Sequence, residues 1–276
     1  MRIRIAHATT YRYDVAPGSV TQTLRLTPRN SDSQYVVDWR IELSEDCQLN
    51  AYEDAFGNLT HTFTAAGPFN ELRVSVEGVV DTQDSHGVVA GTIERFPPSL
   101  FLRPTTLTEP DDEITALAQR CRDAAGGDGT LAVLHRLMSD LYDEMTFDTD
   151  PTHVATTAAE AYGLRRGVCQ DIAHIFIAAA RQIDVPARYV SGYFHRADGI
   201  TDQEAGHAWT EVHVGELGWV AFDPTNGICA TDAHIRVAIG LDYLGAAPIR
   251  GTRYGGNGET MDVAVAVEQS RRQFQN

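Results

Sequence analysis

The sequence lacks the features that would place the protein in or across a membrane. In its 276 residues, no apolar run approaches the roughly 18 residues that a membrane-spanning helix needs. Residues 1–5 are typical of a strand and lack the apolar stretch and small-residue cleavage site of a signal peptide. We therefore expect a cytoplasmic protein with no membrane partner.

Basic residues are scarce relative to acidic ones. Lysine and arginine together number 22 against 38 aspartate and glutamate residues, which gives a formal net charge of −16. A surface of this sign repels phosphate backbones, so we expect no nucleic-acid partner. Hydrophobic residues make up 43% of the chain and charged residues 22%, which is typical of a chain that is globular throughout.

Cysteine is also rare, and no two cysteines form a C-x-x-C pair. This spacing argues against a zinc knuckle and against a redox dithiol. In a reducing compartment all of them should be free thiols, so at least one is available for chemistry. The four are Cys47, Cys121, Cys169 and Cys229.

The distribution of strand and helix signals predicts two domains. The first ~95 residues alternate between apolar and polar positions and are interrupted by glycine- and proline-marked turns, which predicts a small β sandwich or open barrel. The segment Phe96-Pro97-Pro98 then leads into helical patterns. We therefore expect a β-rich N-terminal domain, residues 1–95, and a catalytic core, residues 96–276.

Within this core, helical segments precede strands, which predicts an α+β protein. An acidic cluster at residues 111–113 predicts the start of a helix that runs to about residue 125, and helical spacing of apolar residues predicts a second over residues 130–145. A third helix, from Cys169 to about Ile183, is apolar on nearly all sides and should be buried. Strand-like segments follow at residues 187–194, 207–214 and 219–222.

Cys169 has the most reactive context of the four cysteines. It lies at the predicted start of the buried helix, where the positive end of the helix dipole stabilises a thiolate. Free backbone N–H groups at this point can also stabilise an oxyanion. Gly167, two residues earlier, leaves room for an incoming carbonyl. On this evidence alone, a small buried core cysteine is an equally good interpretation.

A thiol nucleophile needs a base, and the base needs an acceptor that orients it. His207 opens one strand-like segment and Asp223 closes the next, with a short glycine-containing loop between them. Antiparallel pairing would bring both to the same open end of a hairpin. They share a face of the sheet only in one register, which the sequence leaves open.

The motifs around these residues resemble those of the bacterial transglutaminase-like proteins. The core motifs are Gly167-Val168-Cys169-Gln170-Asp171, Pro186-Ala187-Arg188-Tyr189-Val190-Ser191-Gly192-Tyr193, His207-Ala208-Trp209 and Asp223-Pro224-Thr225-Asn226. The first domain resembles the N-terminal domain of these proteins at His7 with Tyr11 and Tyr13, at Leu24-Arg25-Leu26 with Pro28-Arg29, and at Asp54-Ala55-Phe56-Gly57-Asn58. The resemblance covers almost the whole chain.

This resemblance implies a transglutaminase core on the papain-like plan, with a buried catalytic helix packed on an antiparallel sheet. It implies Cys169 as nucleophile, His207 as base and Asp223 as orienting carboxylate, in acyl transfer from an amide of a peptide-type substrate. Gln170 stands where animal transglutaminases carry tryptophan, and no EF-hand-like calcium loop is present. We therefore expect protease or amidase activity at least as much as crosslinking, and neither metal nor cofactor.

Four further residues are candidates for supporting roles. Asp171 and His174, at i and i+3 on the buried helix, can form a polar pair that supports the helix start, or can contact substrate. Gln170 can donate to the oxyanion or point elsewhere. Trp209 packs around the three reactive residues or lines the cleft.

Two other functions remain open. The fold can serve as a non-catalytic binding or assembly module, or the thiol can transfer acyl groups between small molecules, as in arylamine N-acetyltransferases. The β-rich N-terminal domain either shapes the substrate cleft or serves packing and solubility. The sequence names neither the acyl acceptor, water or an amine, nor the oligomeric state.

Overall fold

A computed structural model describes residues 1–270 of the chain. The first 82 residues form two antiparallel sheets that pack face to face, as the sandwich prediction requires. One contains β1 (Arg2–Val15), β6 (Glu71–Thr82) and β3 (Gln34–Leu43); the other contains β2 (Ser19–Thr27), β5 (Leu59–Ala66) and β4 (Asn50–Glu53). Alternate residues of β1 and β2 are buried, so their apolar side chains share the core between the sheets.

The C-terminal strands return to these two sheets. Strand β17 (Asn257–Gln269) pairs with β1 along almost its entire length, and β16 (Ile249–Tyr254) pairs with β2. A short β11 (Asp202–Gln203) lies on the outer edge of β17. Residues 249–269, which the sequence assigns to the core, therefore complete the N-terminal sheets.

The helices agree closely with the sequence analysis. They are α1 (Asp112–Ala124), α2 (Thr130–Glu144), α3 (Ala158–Leu164), α4 (Cys169–Gln182) and the single turn α5 (Tyr243–Ala246), with 3-10 turns at Pro98–Leu102, Thr106–Thr108 and Gly215–Leu217. Asp111 caps α1 by accepting a hydrogen bond from Ile114 N at 2.9 Å. Helix α3 was not predicted. Among the described residues, no helix is long and apolar enough to cross a membrane, and the cytoplasmic location stays a prediction.

A second antiparallel sheet system forms the centre of the molecule. Its strands, in spatial order, are β14 (Ile228–Cys229), β13 (Gly218–Asp223), β12 (His207–Val214), β10 (Ala187–Phe194) and β15 (His234–Gly240); β7 (Val88–Val89) also pairs with β13. Beside the start of α4, β8 (Thr146–Phe147) and β9 (Arg166–Gly167) form a short parallel pair.

Helix α4 lies at the centre of the hydrophobic core, as its apolar sequence predicts. It packs on β10 and β12, and helices α1, α2 and α3 cover its other sides. Arg181 near its end is buried and donates hydrogen bonds that fix the helix to the connector and the sheet; the acceptors are Phe101 O, Thr108 Oγ1, Ala187 O and Leu241 O. Ile3, Ile5 and Val80 of the N-terminal sheets belong to the same core.

Candidate active site

The chain is held in a defined turn just before Cys169. The buried carboxylate of Asp171 accepts hydrogen bonds through Oδ2 from Val168 N at 2.9 Å and from Thr152 Oγ1 at 2.7 Å. A Cβ at Gly167 would lie 2.7 Å from the same oxygen, so glycine is required there to let the carboxylate approach the backbone. This turn places Cys169, which is partly exposed, at the first position of α4.

His207 and Asp223 meet at the open end of the β12–β13 hairpin. Thr210 pairs with Phe222, so Trp209 lies level with Asp223, and His207 shares the face of Trp209. The side chains therefore point to the same side and are diagonal neighbours. His207 Nε2 lies 2.7 Å from Asp223 Oδ2, within hydrogen-bond distance. This is the register that the sequence left open.

The thiol of Cys169 lies beside the imidazole of His207, close enough to raise the pKa of the ring. Because Nε2 faces Asp223, the nitrogen left for the thiol is Nδ1. The His207 side chain is 10% exposed and that of Asp223 is fully buried. One ring thus lies between a partly exposed thiol and a buried carboxylate.

The surroundings of His207 and Asp223 stabilise the charged form of both side chains. Burial acts to lower the pKa of His207, but the negative charge of Asp223 and the contact with Cys169 outweigh it and raise the pKa to about 10. Burial acts to raise the pKa of Asp223, but His207 and His234 hold that pKa well below its usual range. His207 therefore favours the imidazolium form and Asp223 stays ionised.

Two further side chains, for which the sequence predicted no role, contact the Asp223 carboxylate. Asn226 Nδ2 donates to Oδ2 at 2.7 Å, and His234 Nε2 lies 3.2 Å from the same oxygen. The backbone N–H groups of Thr225 and Asn226 donate to Oδ1 at 3.1 and 3.3 Å. The motif Asp223-Pro224-Thr225-Asn226 contained the signal for Asn226, whereas His234 lies eleven residues away on a different strand.

Aromatic rings enclose the two histidines. Trp209 is buried, and its ring stacks on that of His207 at 6.0 Å between centroids. Phe194 lies 5.2 Å from the ring of His207 and 4.6 Å from that of His234. A Cβ at Gly192 would fall 2.6 Å from the Trp209 ring, so this glycine leaves space for the indole. Of the two roles considered for Trp209, packing around the reactive residues is the one that these contacts describe.

The other three candidate residues are Gln170, Asp171 and His174, and Asp171 and His174 do not form the polar pair that their spacing allows. Asp171 Oδ1 and His174 Nδ1 are both buried without a hydrogen-bond partner, and His174 Nε2 accepts from Tyr243 N at 3.0 Å. The Asp171 carboxylate is instead occupied by the turn before α4. Gln170 Nε2 is directed at Val154 O, at 3.5 Å.

Three groups lie close enough together to suggest a metal site. One ligand atom each of His207, Asp223 and His234 lies within 4.8 Å of the others. However, both imidazoles direct Nε2 at the same carboxylate oxygen, which already accepts from Asn226. The hydrogen-bonded arrangement is complete without an ion, and the expectation of no metal stays a prediction.

The other three cysteines lie in less reactive surroundings. Burial raises the pKa of Cys229, and burial together with the nearby Asp140 carboxylate raises that of Cys121 to about 12. Burial and the acidic residues Asp46 and Glu45 raise the pKa of Cys47. Cys169 is the cysteine that contacts a histidine.

A cysteine at the start of a buried helix, in contact with a histidine on an adjacent antiparallel sheet, is the arrangement of the papain-like class of thiol enzymes. Comparison with known proteins identifies the family within this class. The family described as the transglutaminase-like superfamily matches residues 115–224, and the bacterial transglutaminase-like N-terminal region matches residues 3–81.

Relatives and a solved structure match nearly the whole chain. An uncharacterized protein of Mycobacterium leprae is 31% identical over 284 residues, covering 98% of this chain and 99% of the relative. An uncharacterized protein of Mycobacterium tuberculosis is 30% identical over 298 residues, covering 97% and 92%. The crystal structure of a candidate cysteine protease from Cytophaga hutchinsonii has the same fold, with a TM-score of 0.76 at 21% identity over 99% of this chain and 92% of that one. The chain belongs to the transglutaminase-like superfamily, whose members typically use thiol-based catalysis.

Proposed function

We propose that the protein transfers acyl groups from amides, with Cys169 as nucleophile, His207 as general base and acid, and Asp223 as the carboxylate that orients His207. The observation that carries the proposal is the position of the His207 ring, which contacts the thiol on one side and the buried Asp223 on the other. This is the geometry that an activated thiol requires.

The reaction follows from the contacts of the ring. Cys169 Sγ attacks the carbonyl carbon of the amide as a thiolate, because its proton is already held on His207 Nδ1 in the imidazolium form. The tetrahedral adduct collapses, the C–N bond breaks, and His207 returns the proton to the leaving amine. A thioester on Cys169 remains. Water or a second amine then attacks the thioester, His207 accepts the proton of the attacking group, and the acyl product leaves as the C–S bond breaks and Cys169 becomes a thiolate beside the imidazolium again.

The negative oxygen of the adduct needs hydrogen-bond donors. The first carbonyl acceptor in α4 is that of Val168, which accepts from the N–H groups of Asp171 and Ile172 at 3.0 and 3.1 Å. The N–H groups of Cys169 and Gln170 precede this first pair and are available at the helix start. We propose the backbone N–H of Cys169 as one donor to the oxyanion.

We propose a peptide-type amide as the substrate, as the family and the fold of a candidate cysteine protease support. Hydrolysis and amine transfer can be distinguished experimentally, because the chain contains no lysine: the 22 residues counted as lysine or arginine are all arginine. An isopeptide crosslink through a lysine must therefore include lysine from an added protein. A reaction that proceeds with no added amine therefore reports hydrolysis.

The test is to incubate the protein with a peptide library, with and without an added primary amine, and to search for acylated Cys169 by mass spectrometry. We expect an acyl adduct on the Cys169 peptide, released by water to give shortened or deamidated peptides, or by the amine to give amides. Cys169→Ser should form no thioester, and Cys229→Ser serves as the matched control that keeps full activity. Turnover that persists in Cys169→Ser would refute the proposal; an alkylatable Cys169 with no turnover on any amide would favour a binding module.

A further inference from the structure

His234 contacts the same carboxylate oxygen of Asp223 as His207 does. It is the first residue of β15, its side chain is 2% exposed, and its Nε2 lies 3.2 Å from Asp223 Oδ2. The rings of His207 and His234 are 6.1 Å apart and both contact Phe194. A second buried imidazole on the same carboxylate oxygen has no role in the mechanism described so far.

Local hydrogen bonds determine the tautomer of His234. The backbone N–H of Thr231 donates to His234 Nδ1 at 3.1 Å, and the backbone N–H of His234 donates in return to Thr231 O at 3.1 Å. A nitrogen that accepts from an N–H carries a lone pair and no hydrogen. The hydrogen of the neutral ring is therefore on Nε2, which donates it to Asp223 Oδ2.

The surroundings of His234 keep it neutral. Burial lowers the pKa of His234, and this effect outweighs the opposing attraction of Asp223. The nearby imidazolium of His207 also disfavours a second positive charge. The titratable groups that face this site from the packed elements are His207 of β12, Asp223 of β13 and, through His207, Cys169 of α4.

Other charged groups near the site are paired. Glu211, further along β12, binds Arg188 and Arg236. Asp232, in the turn before β15, lies 3.4 Å from the N-terminal amino group of Met1. Asp223 is therefore the negative charge with which the His234 ring interacts.

We propose that His234 is a positioning residue that donates a permanent hydrogen bond to Asp223 and thereby limits how strongly this carboxylate holds the proton on His207. The inference deepens the proposed function and rests on it. A carboxylate that accepts from a second imidazole is less basic towards the first, because the negative charge on Oδ2 is shared between donors. His207 then releases its proton more readily to the leaving amine.

The test compares two variants of nearly equal length and volume. His234→Gln keeps an N–H donor for Asp223, whereas His234→Met keeps the volume and removes the donor. Both are made in a Cys169→Ala background, so that the titration of His207 is not coupled to a thiol. Nitrogen-15 NMR of labelled histidines reports the tautomer of His234 and the titration midpoint of His207.

We expect His234 to be neutral between pH 5 and 8, with its hydrogen on Nε2. In His234→Met the midpoint of His207 should rise by about half a pH unit or more, a fraction of the effect of a hydrogen bond to a charged group. In His234→Gln it should stay within about 0.2 unit of the parent. The rise reflects a more basic Asp223, which a loss of packing alone would not produce.

Two results would overturn the inference: a His234 that is charged or protonated on Nδ1 at pH 7, or a folded His234→Met protein in which His207 titrates as in the parent. The tautomer is measured on the unaltered His234, so it decides the matter even if His234→Met fails to fold. Failure of the proposed function gives a different result, because Cys169 of the wild-type protein would then form no acyl adduct whatever the tautomer of His234.

Discussion

The side-chain amide of Asn58 pairs with the backbone of Ile239 as a neighbouring strand would. Asn58 Nδ2 donates to Ile239 O at 2.8 Å, and Ile239 N donates to Asn58 Oδ1 at 2.8 Å. Gln34 forms the same two bonds with Arg236, at 2.9 and 2.8 Å. Two amides of the N-terminal region thus complete the free edge of β15, the strand that begins at His234.

We expect Asn58→Ala to destabilise the protein and to disturb the site. The substitution removes two buried hydrogen bonds and leaves the Ile239 backbone groups without partners, at about 1–3 kcal/mol for each buried group. Urea unfolding measures the loss, and alkylation of Cys169 reports the site. Asn50→Ala, at an exposed position of β4, is the matched control. Equal stability of the two variants would show that the N-terminal amides do not support β15.

Cys169 should be the thiol that iodoacetamide labels first at pH 6. Burial holds the pKa of Cys47, Cys121 and Cys229 above the usual range, whereas Cys169 lies at a helix start beside His207. We expect labelling of Cys169 to be at least about tenfold faster than that of the others. Peptide mapping after competitive alkylation measures the ratio.

The same experiment on His207→Ala tests the cause of this selectivity. Without the imidazole, labelling of Cys169 at pH 6 should slow by about tenfold or more, because no base is left beside the thiol. Preferential labelling of another cysteine in the wild-type protein would contradict the assignment. Unchanged labelling in His207→Ala would show that the histidine does not activate the thiol.

Activity on an amide substrate should survive removal of metal ions. The lone-pair sites of Asp223 are directed at N–H donors, and the reaction uses a thiol and an imidazole, so no step needs a Lewis acid. The measurement is the hydrolysis rate in EDTA, with the calcium complex of EDTA at equal concentration as control. A rate that falls in EDTA and recovers on addition of calcium or zinc would show that an ion takes part.

The buried Glu211 makes folding stability depend on pH. Burial acts to raise its pKa, but Arg236 and Arg188 outweigh this and lower the pKa to about 2. A carboxylate with a lower pKa in the folded than in the unfolded state stabilises the protein above the unfolded value, near 4.3, and this contribution is lost as the pH falls through 2. A shift of this size corresponds to roughly 3 kcal/mol.

We therefore expect Glu211→Gln to be less stable than the wild type at pH 7, and the difference to shrink between pH 4 and pH 2. Urea unfolding at several pH values measures it. Glu216→Gln, at an exposed position in the hairpin loop, is the control and should show no such convergence. A stability difference that is independent of pH would contradict the role of the buried charge.

Local patterns predicted the parts of the site that lie on single elements. The apolar residues from Ile172 to Ile183 predicted a buried helix that begins at Cys169, and Cys169 is the first residue of α4. The hairpin between His207 and Asp223 was also predicted, because its two strands are adjacent in sequence. Helix α3 could have been found, since Thr157 and Glu160 form the T-x-x-E capping pattern.

Pairing between strands that are distant in sequence could not be predicted from local patterns. His234 reaches Asp223 because β15 pairs with β10, and no local pattern encodes this pairing. The return of β17 to β1 has the same cause. The register of His207 against Asp223 depends on packing along both faces of the sheet, since a slip of one residue would have turned the two side chains apart.

We expect that residues 96–276 do not fold as a separate unit. Strand β17 would lose β1 as its partner, and the core around α4 would lose Ile3, Ile5 and Val80, each worth about 1.5–3 kcal/mol when fully buried. These losses together are comparable with the entire stability of a typical domain, about 5–15 kcal/mol. The measurement is circular dichroism and urea unfolding of the fragment.

A circular permutant distinguishes the effect of losing the N-terminal strands from the effect of cutting the chain. Residues 2 and 270, at the two ends of the described part of the chain, lie close together, since Ser270 N donates to Arg2 O at 2.8 Å. The loop at Gly126-Gly127 has open space around both glycines. A permutant that joins residue 276 to residue 1 by a flexible linker and begins at Gly127 keeps every strand pair. It should fold and keep the selective alkylation of Cys169, whereas the fragment should do neither. A folded fragment with selective Cys169 labelling would show that residues 96–276 form an independent domain, and that the N-terminal sheets serve another purpose.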